Sequence, residues 1–470
     1  MISYPFYCGG NFTEGEDLLE VINPYTGQPF ASTWRANAEH LETAILAAQR
    51  VQEEMKQMPS YQRSDILNEM ASGIEDNMEE FTAVLAMEAG KPVRYASGEV
   101  LRAIQVFRVA AEEAKRLPKE YISLDWTPAG TKKEGMVKYF PVGLVAAIAA
   151  FNFPLNLAVH KIAPAMAAGC PVILKPATAT PLSTLLLARI ADQTALPKGA
   201  LSVLPLDRIA GNLLVTDPRF NLLTFTGSPE VGWEMKKQAG KKRVVLELGG
   251  NAGLIVTDTA NIDEAARKAV VGAFAYSGQV CIHTQRIFVH QDVFDHFSAM
   301  FVELTRQLRE GDPLDPATDI SVMIDDANAK RVEEWVDEAV ANGAEILCGG
   351  LRKGPFFEPT ILTATKPGMK VCAMEVFGPV VTLESYSRFE DAISMVNNSR
   401  FGLQAGVFTN SIGEMDLAFD RIEAGGVIIN DVPTFRVDHM PYGGIKDSGL
   451  GREGVKYAML DMMEPKILVK

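Results

Sequence analysis

Three side chains in this sequence stand where their chemistry is costly unless it is used. Glu247 interrupts Val244-Val245-Leu246-Glu247-Leu248-Gly249-Gly250, a run that otherwise reads as a buried strand. Burying a carboxylate is unfavourable unless it is paired or its altered pKa is useful. The two glycines after it allow another group to approach the backbone closely. A solvent-facing strand end is the alternative. Cys281 closes Tyr276-Ser277-Gly278-Gln279-Val280-Cys281 at the junction of a helical segment, Ala265–Ala275, and a strand near Arg286. Catalytic thiols favour such loop positions; a buried structural thiol is the competing reading. Asn152, in Phe151-Asn152-Phe153-Pro154, ends a long apolar run. There its amide can donate to a developing oxyanion or serve as turn chemistry before a proline.

Two further stretches suit an anionic ligand. Phe225-Thr226-Gly227-Ser228-Pro229 reads as a strand, a glycine turn and a helix start, with Ser228 as N-cap and Pro229 in the first turn. Backbone donors at a helix N-terminus bind phosphate. Val172-Ile173-Leu174-Lys175-Pro176-Ala177-Thr178 ends a strand on a lysine placed for a ribose or phosphate, or on one that is simply solvated.

The elements that position these residues are legible as texture. The N-terminal part reads as a short extended lead followed by helices at Ala38–Gln57 and Gln62–Ala89, the second stopped by Gly90-Lys91-Pro92. From residue 142, apolar runs alternate with helix-length segments: Leu144–Ala150, Val172–Leu174, Leu201–Leu204, Leu222–Phe225 and Val244–Leu248. That alternation marks a parallel sheet covered on both faces. The pattern restarts at Gly253–Val256, Arg286–Val289, Ile346–Leu347, Val380–Leu383, Gly406–Phe408 and Val427–Ile429, so a second α/β domain is expected from about residue 248. Thr131–Phe140 and Lys466–Lys470 fit neither domain and read as an arm that pairs with another subunit.

The 470 residues suit two or three domains, and a chain of this length buries enough surface to need no disulfide or metal staple. A net charge of −14 argues against nucleic acid or an anionic membrane surface as partner. The five cysteines include no CxxC pair, so no zinc or redox site is expected and a reducing compartment, the cytoplasm, is. Tyr139 to His160 lacks charge, but its glycine, asparagines and proline favour a strand turning into a helix over a membrane span. No signal peptide is read at the start.

Taken in order, Asn152 in FNFP, Lys175 in KPAT, Gly227 and Ser228 in FTGS, Glu247 in LELGG, Cys281 in GQVC and Glu375 with Phe377 in MEVFGP resemble the aldehyde dehydrogenase superfamily. The likeness runs from Asn23-Pro24-Tyr25-Thr26-Gly27 to Pro441-Tyr442-Gly443-Gly444-Ile445-Lys446-Asp447-Ser448-Gly449. It implies two doubly wound α/β domains, one Rossmann-like for the cofactor and one catalytic, plus a β oligomerisation arm. The expected boundaries are 1–120 with 141–247 for the cofactor domain, 248–446 for the catalytic domain, and 121–140 with 447–470 for the arm of a homodimer or homotetramer.

The resemblance also implies roles. Cys281 is the nucleophile, Glu247 the general base, and Asn152 the oxyanion donor together with the Cys281 backbone. NADP or NAD is expected along Ile148, Ala149, Phe151, Lys175, Thr178 and Gly211, then Phe225, Gly227, Ser228, Leu248 and Gly249, with Glu375 and Phe377 at the nicotinamide end. Many NAD-using members carry glutamate where this chain has Thr178, which favours NADP here. Arg102, His160 and Arg436 lie where relatives hold small anionic aldehydes, and the stretch Phe435–Pro441 resembles that of lactaldehyde and phosphonoacetaldehyde dehydrogenases. Val280, in place of an arginine, argues against a doubly charged substrate. The expected activity is NAD(P)-dependent oxidation of a small polar or anionic aldehyde to the acid through a thiohemiacetal and a thioester. The alternatives are transfer of the acyl group to CoA, a non-catalytic relative, and a cysteine hydrolase.

Overall fold

The computed structural model describes residues 2–470. Five of the expected strands form the centre of an eight-stranded sheet. Their order is Arg243–Glu247, Leu222–Thr226, Val145–Ile148, Val172–Lys175, Leu201–Val203, all parallel. Gly449–Leu450 closes one edge antiparallel, and the hairpin Phe6–Cys8 and Asn11–Thr13 closes the other. The chain order reverses between Val145–Ile148 and Leu222–Thr226, so their C-terminal ends flank the crevice where open α/β sheets bind ligands. Asn152, Gly227, Ser228 and Glu247 all follow or end strands at this crevice.

The second sheet has seven strands. Six are parallel, in the order Thr360–Thr363, Val380–Tyr386, Thr284–His290, Ala252–Val256, Gln404–Phe408, Gly426–Ile429. Glu345–Cys348 pairs antiparallel at the edge. Cys281 precedes the N-terminal end of Thr284–His290, a strand buried except at its last residue.

Three expectations need correction. Gln62–Ala89 is not one helix but two, Ser60–Asp76 and Met78–Ala89. Asn77 breaks them, with its side-chain amide donating to Gly73 O at 2.7 Å and so competing with the helical pattern. The extended lead is longer than read: Asp17–Asn23 pairs with Gln28–Arg35 as a hairpin. The expected tail of the arm, 447–470, divides. Gly449–Leu450 joins the first sheet, Val455–Asp461 is a helix packed on the helix Pro154–Ala168, and only Met463–Val469 pairs with Glu134–Pro141, which in turn pairs with Lys119–Ser123. The arm strands begin at Lys119 because the helix Val93–Ala114, which the sequence reading had not resolved, ends just before them. Among the described residues no helix is long and apolar enough to cross a membrane.

Candidate active site

A cavity of about 800 Å³ opens where the C-terminal ends of the first sheet meet the start of Thr284–His290. Asn152, Glu247, Cys281, Glu375, Phe377, Arg102 and Arg436 all line it, although they come from segments far apart in the chain.

The turn that carries Cys281 is strained. Tyr276 and Ser277 have φ of 50° and 53°, and Gly278 follows at 67°. A left-handed non-glycine residue costs about 1–3 kcal/mol and persists only where its surroundings hold it. Here the Tyr276 hydroxyl donates to Ala89 O at 2.9 Å and the Ser277 hydroxyl to Ser321 O at 2.7 Å. At Gly278 a Cβ would stand 2.2 Å from Gly378 O, so no other residue fits. Gln279 accepts from Ile324 N through its side chain, and its own carbonyl accepts from Asn152 Nδ2 at 3.0 Å. Asn152 is therefore tied to the loop that carries Cys281 by one N–H and keeps the other.

Burial pushes the Cys281 thiol up to about 11. The Tyr442 hydroxyl, 3.1 Å from Sγ, and the nearby Arg436 act against this, while Glu375 and Glu247 add to it. Glu247 is buried, and neither carboxylate oxygen has a hydrogen-bond partner among the described residues. Burial and then Glu453 raise it well above the usual carboxylate range, with Arg436 and Lys161 opposing. Glu453 behaves oppositely. Burial would raise it too, but Lys161 at 3.4 Å and Arg436 at 2.8 Å outweigh that and hold it at about 2. One carboxylate of the pair is thus kept ionised and the other ready to hold a proton.

The expected anion-binding residues form one network. Arg102 bridges Asp438 at 2.6 Å, and His160 Nε2 meets the same carboxylate at 2.9 Å. Arg436 Nη2 lies 3.3 Å from His160 Nε2, and its guanidinium stacks 3.7 Å from the centre of the Tyr442 ring. Arg102 and Arg436 reach the cavity. The placement of His160 corrects the expectation of a substrate contact: it is 2% exposed and stands behind the wall, bracing Asp438 and Arg436. Burial lowers its pKa, and Arg436 adds to that.

Of the residues expected to hold the cofactor, Phe151, Gly227, Ser228, Leu248, Gly249, Glu375 and Phe377 line the cavity. Ile148, Ala149 and Phe225 are buried in or beside the strand ends beneath it. Lys175 and Gly211 adjoin one another further along the sheet, where a Cβ at 211 would lie 2.9 Å from Lys175 Cε. Thr178 is exposed on the loop after Lys175. The residues fit a dinucleotide. Ser228 sits at the N-cap of Pro229–Gln238 without a side-chain cap bond, leaving donors free for phosphate. Thr226 Oγ1 is buried without a partner among the described residues. At Gly249 a Cβ would stand 2.1 Å from Glu375 Oε2. Glu375 accepts from Gly250 N at 2.9 Å, and burial pushes it up to about 8. Phe377 takes φ of 48° and meets Phe151 edge-on.

Sequence reading passed over Tyr442, Lys161, Asp438 and Glu453. A lysine within the apolar helix Pro154–Ala168 was the available signal for Lys161, by the same argument that singled out Glu247. The other three sit in polar loop sequence, where nothing local shows that they are buried.

Comparison with known proteins gives one answer. The sequence profile described as the aldehyde dehydrogenase family matches residues 12–468. The 3-sulfolactaldehyde dehydrogenase of Priestia megaterium is 43% identical over 468 residues, covering 99% of this chain and 98% of the relative. Aldehyde dehydrogenase 21 from Physcomitrella patens, solved with its reaction product succinate, superimposes with a TM-score of 0.99 at 44% identity, over 100% of this chain and 98% of that one. NADP-dependent glyceraldehyde-3-phosphate dehydrogenase from Bacillus halodurans, solved with NADP, gives 0.97 at 34%, over 100% and 99%.

Proposed function

The chain belongs to the aldehyde dehydrogenase family and catalyses NAD(P)-dependent oxidation of an aldehyde to the acid; we propose that the aldehyde is small and carries one negative charge at the end remote from its carbonyl. The observation that carries this reading is the presence of Arg102 and Arg436 on the wall of the cavity that holds Cys281. Arg102 is paired with Asp438 and Arg436 with Glu453, which holds both guanidinium groups in place on that wall. Val280 lines the cavity beside Cys281 and adds no charge, which suits a single negative charge better than two. The relative named for 3-sulfolactaldehyde and the neighbour solved with succinate point the same way, since both compounds carry an anionic group.

In this reading the Cys281 thiolate adds to the carbonyl carbon. The free N–H of Asn152 and the Cys281 backbone N–H receive the resulting oxyanion, each such donor contributing about 3–4 kcal/mol in comparable sites. A nicotinamide held beside Glu375 and Phe377 would accept the hydride that this adduct gives up, and Cys281 would then carry the acyl group as a thioester. Glu247 then takes a proton from water as the water attacks that thioester, the C–S bond breaks, and the thiolate returns. Its raised pKa brings the carboxylate closer to working pH, where a general base is most effective. Water rather than CoA is the acyl acceptor, so added CoA leaves turnover unchanged.

NADP serves at least as well as NAD. A glutamate at 178 would repel a 2′-phosphate; Thr178 does not, and Lys175 offers a positive charge on the same loop. The arm sheet, with Tyr121, Ile467, Leu468 and Val469 exposed, builds a homodimer or homotetramer. Five free thiols suit the cytoplasm.

The test is a panel of neutral and anionic aldehydes of matched size, followed by reduced-nicotinamide absorbance. Arg102→Gln raises KM for the anionic members tenfold or more and leaves the neutral ones nearly unchanged; equal effects would make Arg102 structural. Arg102 is the better probe because truncating the buried Arg436 takes one of its two cations from buried Glu453, which destabilises the fold as well as altering the pocket. The same assay with both cofactors reads Thr178: Thr178→Glu shifts the kcat/KM ratio at least tenfold toward NAD, and an unmoved ratio places the selector elsewhere.

A further inference from the structure

The cavity wall contains one polar group that an anion does not satisfy. Asn156 stands in the first turn of Pro154–Ala168, is 1% exposed, and lines the cavity. Its side-chain oxygen is buried and has no hydrogen-bond partner among the described residues. Leaving such an acceptor unpaired costs about 1–3 kcal/mol, so it persists where a ligand pairs it or where its position serves some other purpose.

The surroundings narrow what that ligand group is. The backbone N–H groups of Leu155 and Asn156 both donate to Glu99 Oε1 at 3.0 Å. Glu99 is itself buried and ion-paired with Lys91. The helix N-terminus is therefore already occupied by a carboxylate and is closed to a substrate anion. An amide oxygen beside Glu99 repels a second carboxylate or a sulfonate. It accepts from an O–H. On the same wall Arg436 Nε is a buried donor with no partner among the described residues. Beside Glu247 and Thr226, the pocket thus presents an unpaired donor at Arg436 and an unpaired amide acceptor at Asn156 to whatever fills it.

We propose that Asn156 is a specificity-determining residue that accepts a hydrogen bond from a hydroxyl on the substrate, so that the preferred anionic aldehyde is hydroxylated. This rests on the reading of the cavity as a site for anionic aldehydes and divides that class. A 3-sulfolactaldehyde carries such a hydroxyl, whereas the aldehyde corresponding to succinate does not. Sites that hydrogen-bond a substrate hydroxyl reject the analogue lacking it far more strongly than apolar pockets reject an added group, because the site's own polar atom is then left unpaired.

The experiment compares kcat/KM for two pairs that differ by one hydroxyl: 3-sulfolactaldehyde against 3-sulfopropanal, and lactaldehyde against propanal. The wild-type enzyme prefers the hydroxylated member of each pair by tenfold or more. Asn156→Leu, close in volume and unable to accept, brings both ratios to within about threefold of unity by lowering kcat/KM for the hydroxylated members alone. Asn156→Gln, which keeps an amide acceptor without adding a charge beside Glu99, retains the preference and guards against a merely structural effect. Wild-type ratios near unity, or ratios that Asn156→Leu leaves in place, overturn the inference while the anionic-aldehyde reading stands. A sulfonated pair oxidised no better than the neutral pair overturns that reading and the inference with it.

Discussion

The hydroxyl of Tyr442 bears on the proposed mechanism through a single contact, 3.1 Å from Cys281 Sγ. A thiolate needs a donor when its surroundings are dry, and a hydrogen bond to a charged group is worth about 1.5–3 kcal/mol. Burial leaves the Cys281 thiol at about 11, so its reactive fraction rises with pH across the range from 9 to 11. The groups facing it are Tyr442, Glu375, Arg436 and Glu247. Removing the donor disfavours the thiolate. In Tyr442→Phe the pH profile of iodoacetamide alkylation, measured without cofactor, moves upward by about one pH unit, which corresponds to about 1.4 kcal/mol. A profile that stays in place assigns the tyrosine to packing against Arg436 only.

At the scale of elements, the segment that carries Glu375 is not regular structure, and one buried side chain clamps it. Gln285, on the strand Thr284–His290, donates to Val371 O at 2.9 Å and Met374 O at 2.7 Å, and accepts from Val376 N at 2.9 Å. The strand that follows the Cys281 loop therefore also sets the position of Glu375, which couples the nucleophile to the cofactor side. Gln285→Ala leaves three backbone groups without their partner at about 1–3 kcal/mol each. The expected result is a Tm lower by several degrees and a KM for the cofactor raised tenfold or more, with kcat changed far less. Equal losses in kcat and in cofactor affinity would show that the strand end itself collapses.

Across the whole molecule, buried carboxylates link stability to pH. Glu88 is fully buried at the end of Met78–Ala89 and caps Leu182–Gln193 by accepting from Leu182 N at 2.7 Å and Ser183 N at 3.1 Å. Burial outweighs those bonds and pushes it up to about 7. The folded protein then keeps a proton that the unfolded chain loses above about pH 4.3. Its contribution to stability is present below that pH, falls as pH rises through about 7, and is gone above it. The span amounts to about 3 kcal/mol. Denaturant midpoints of the wild type should drop between pH 5 and pH 8 by more than those of Glu88→Gln; equal drops would assign the slope to other groups.

Much of this protein is determined locally. The alternation of apolar runs with helix-length segments follows from the need to cover both faces of a parallel sheet, so ten or so strands and the start of a second sheet after residue 248 are readable in order. Glu247 stands out as a charge inside an apolar run, whereas Cys281 and Asn152 become candidates only through the order of motifs along the chain. Tertiary structure alone decided the rest, since burial and partnership are properties of what comes to lie opposite. Nothing local in Phe435–Pro441 shows that Asp438 braces Arg102 and His160, or that His160 stops short of the cavity. Nothing near Tyr442 announces a sulfur 161 residues away in the chain. The helix Gln62–Ala89 read as continuous because periodicity records which face is apolar and not where a side-chain amide competes for the backbone. Glu453 and Glu247 are the same residue type, and only the direct contacts that Lys161 and Arg436 make with Glu453 pull it below the usual carboxylate range while burial pushes Glu247 above it.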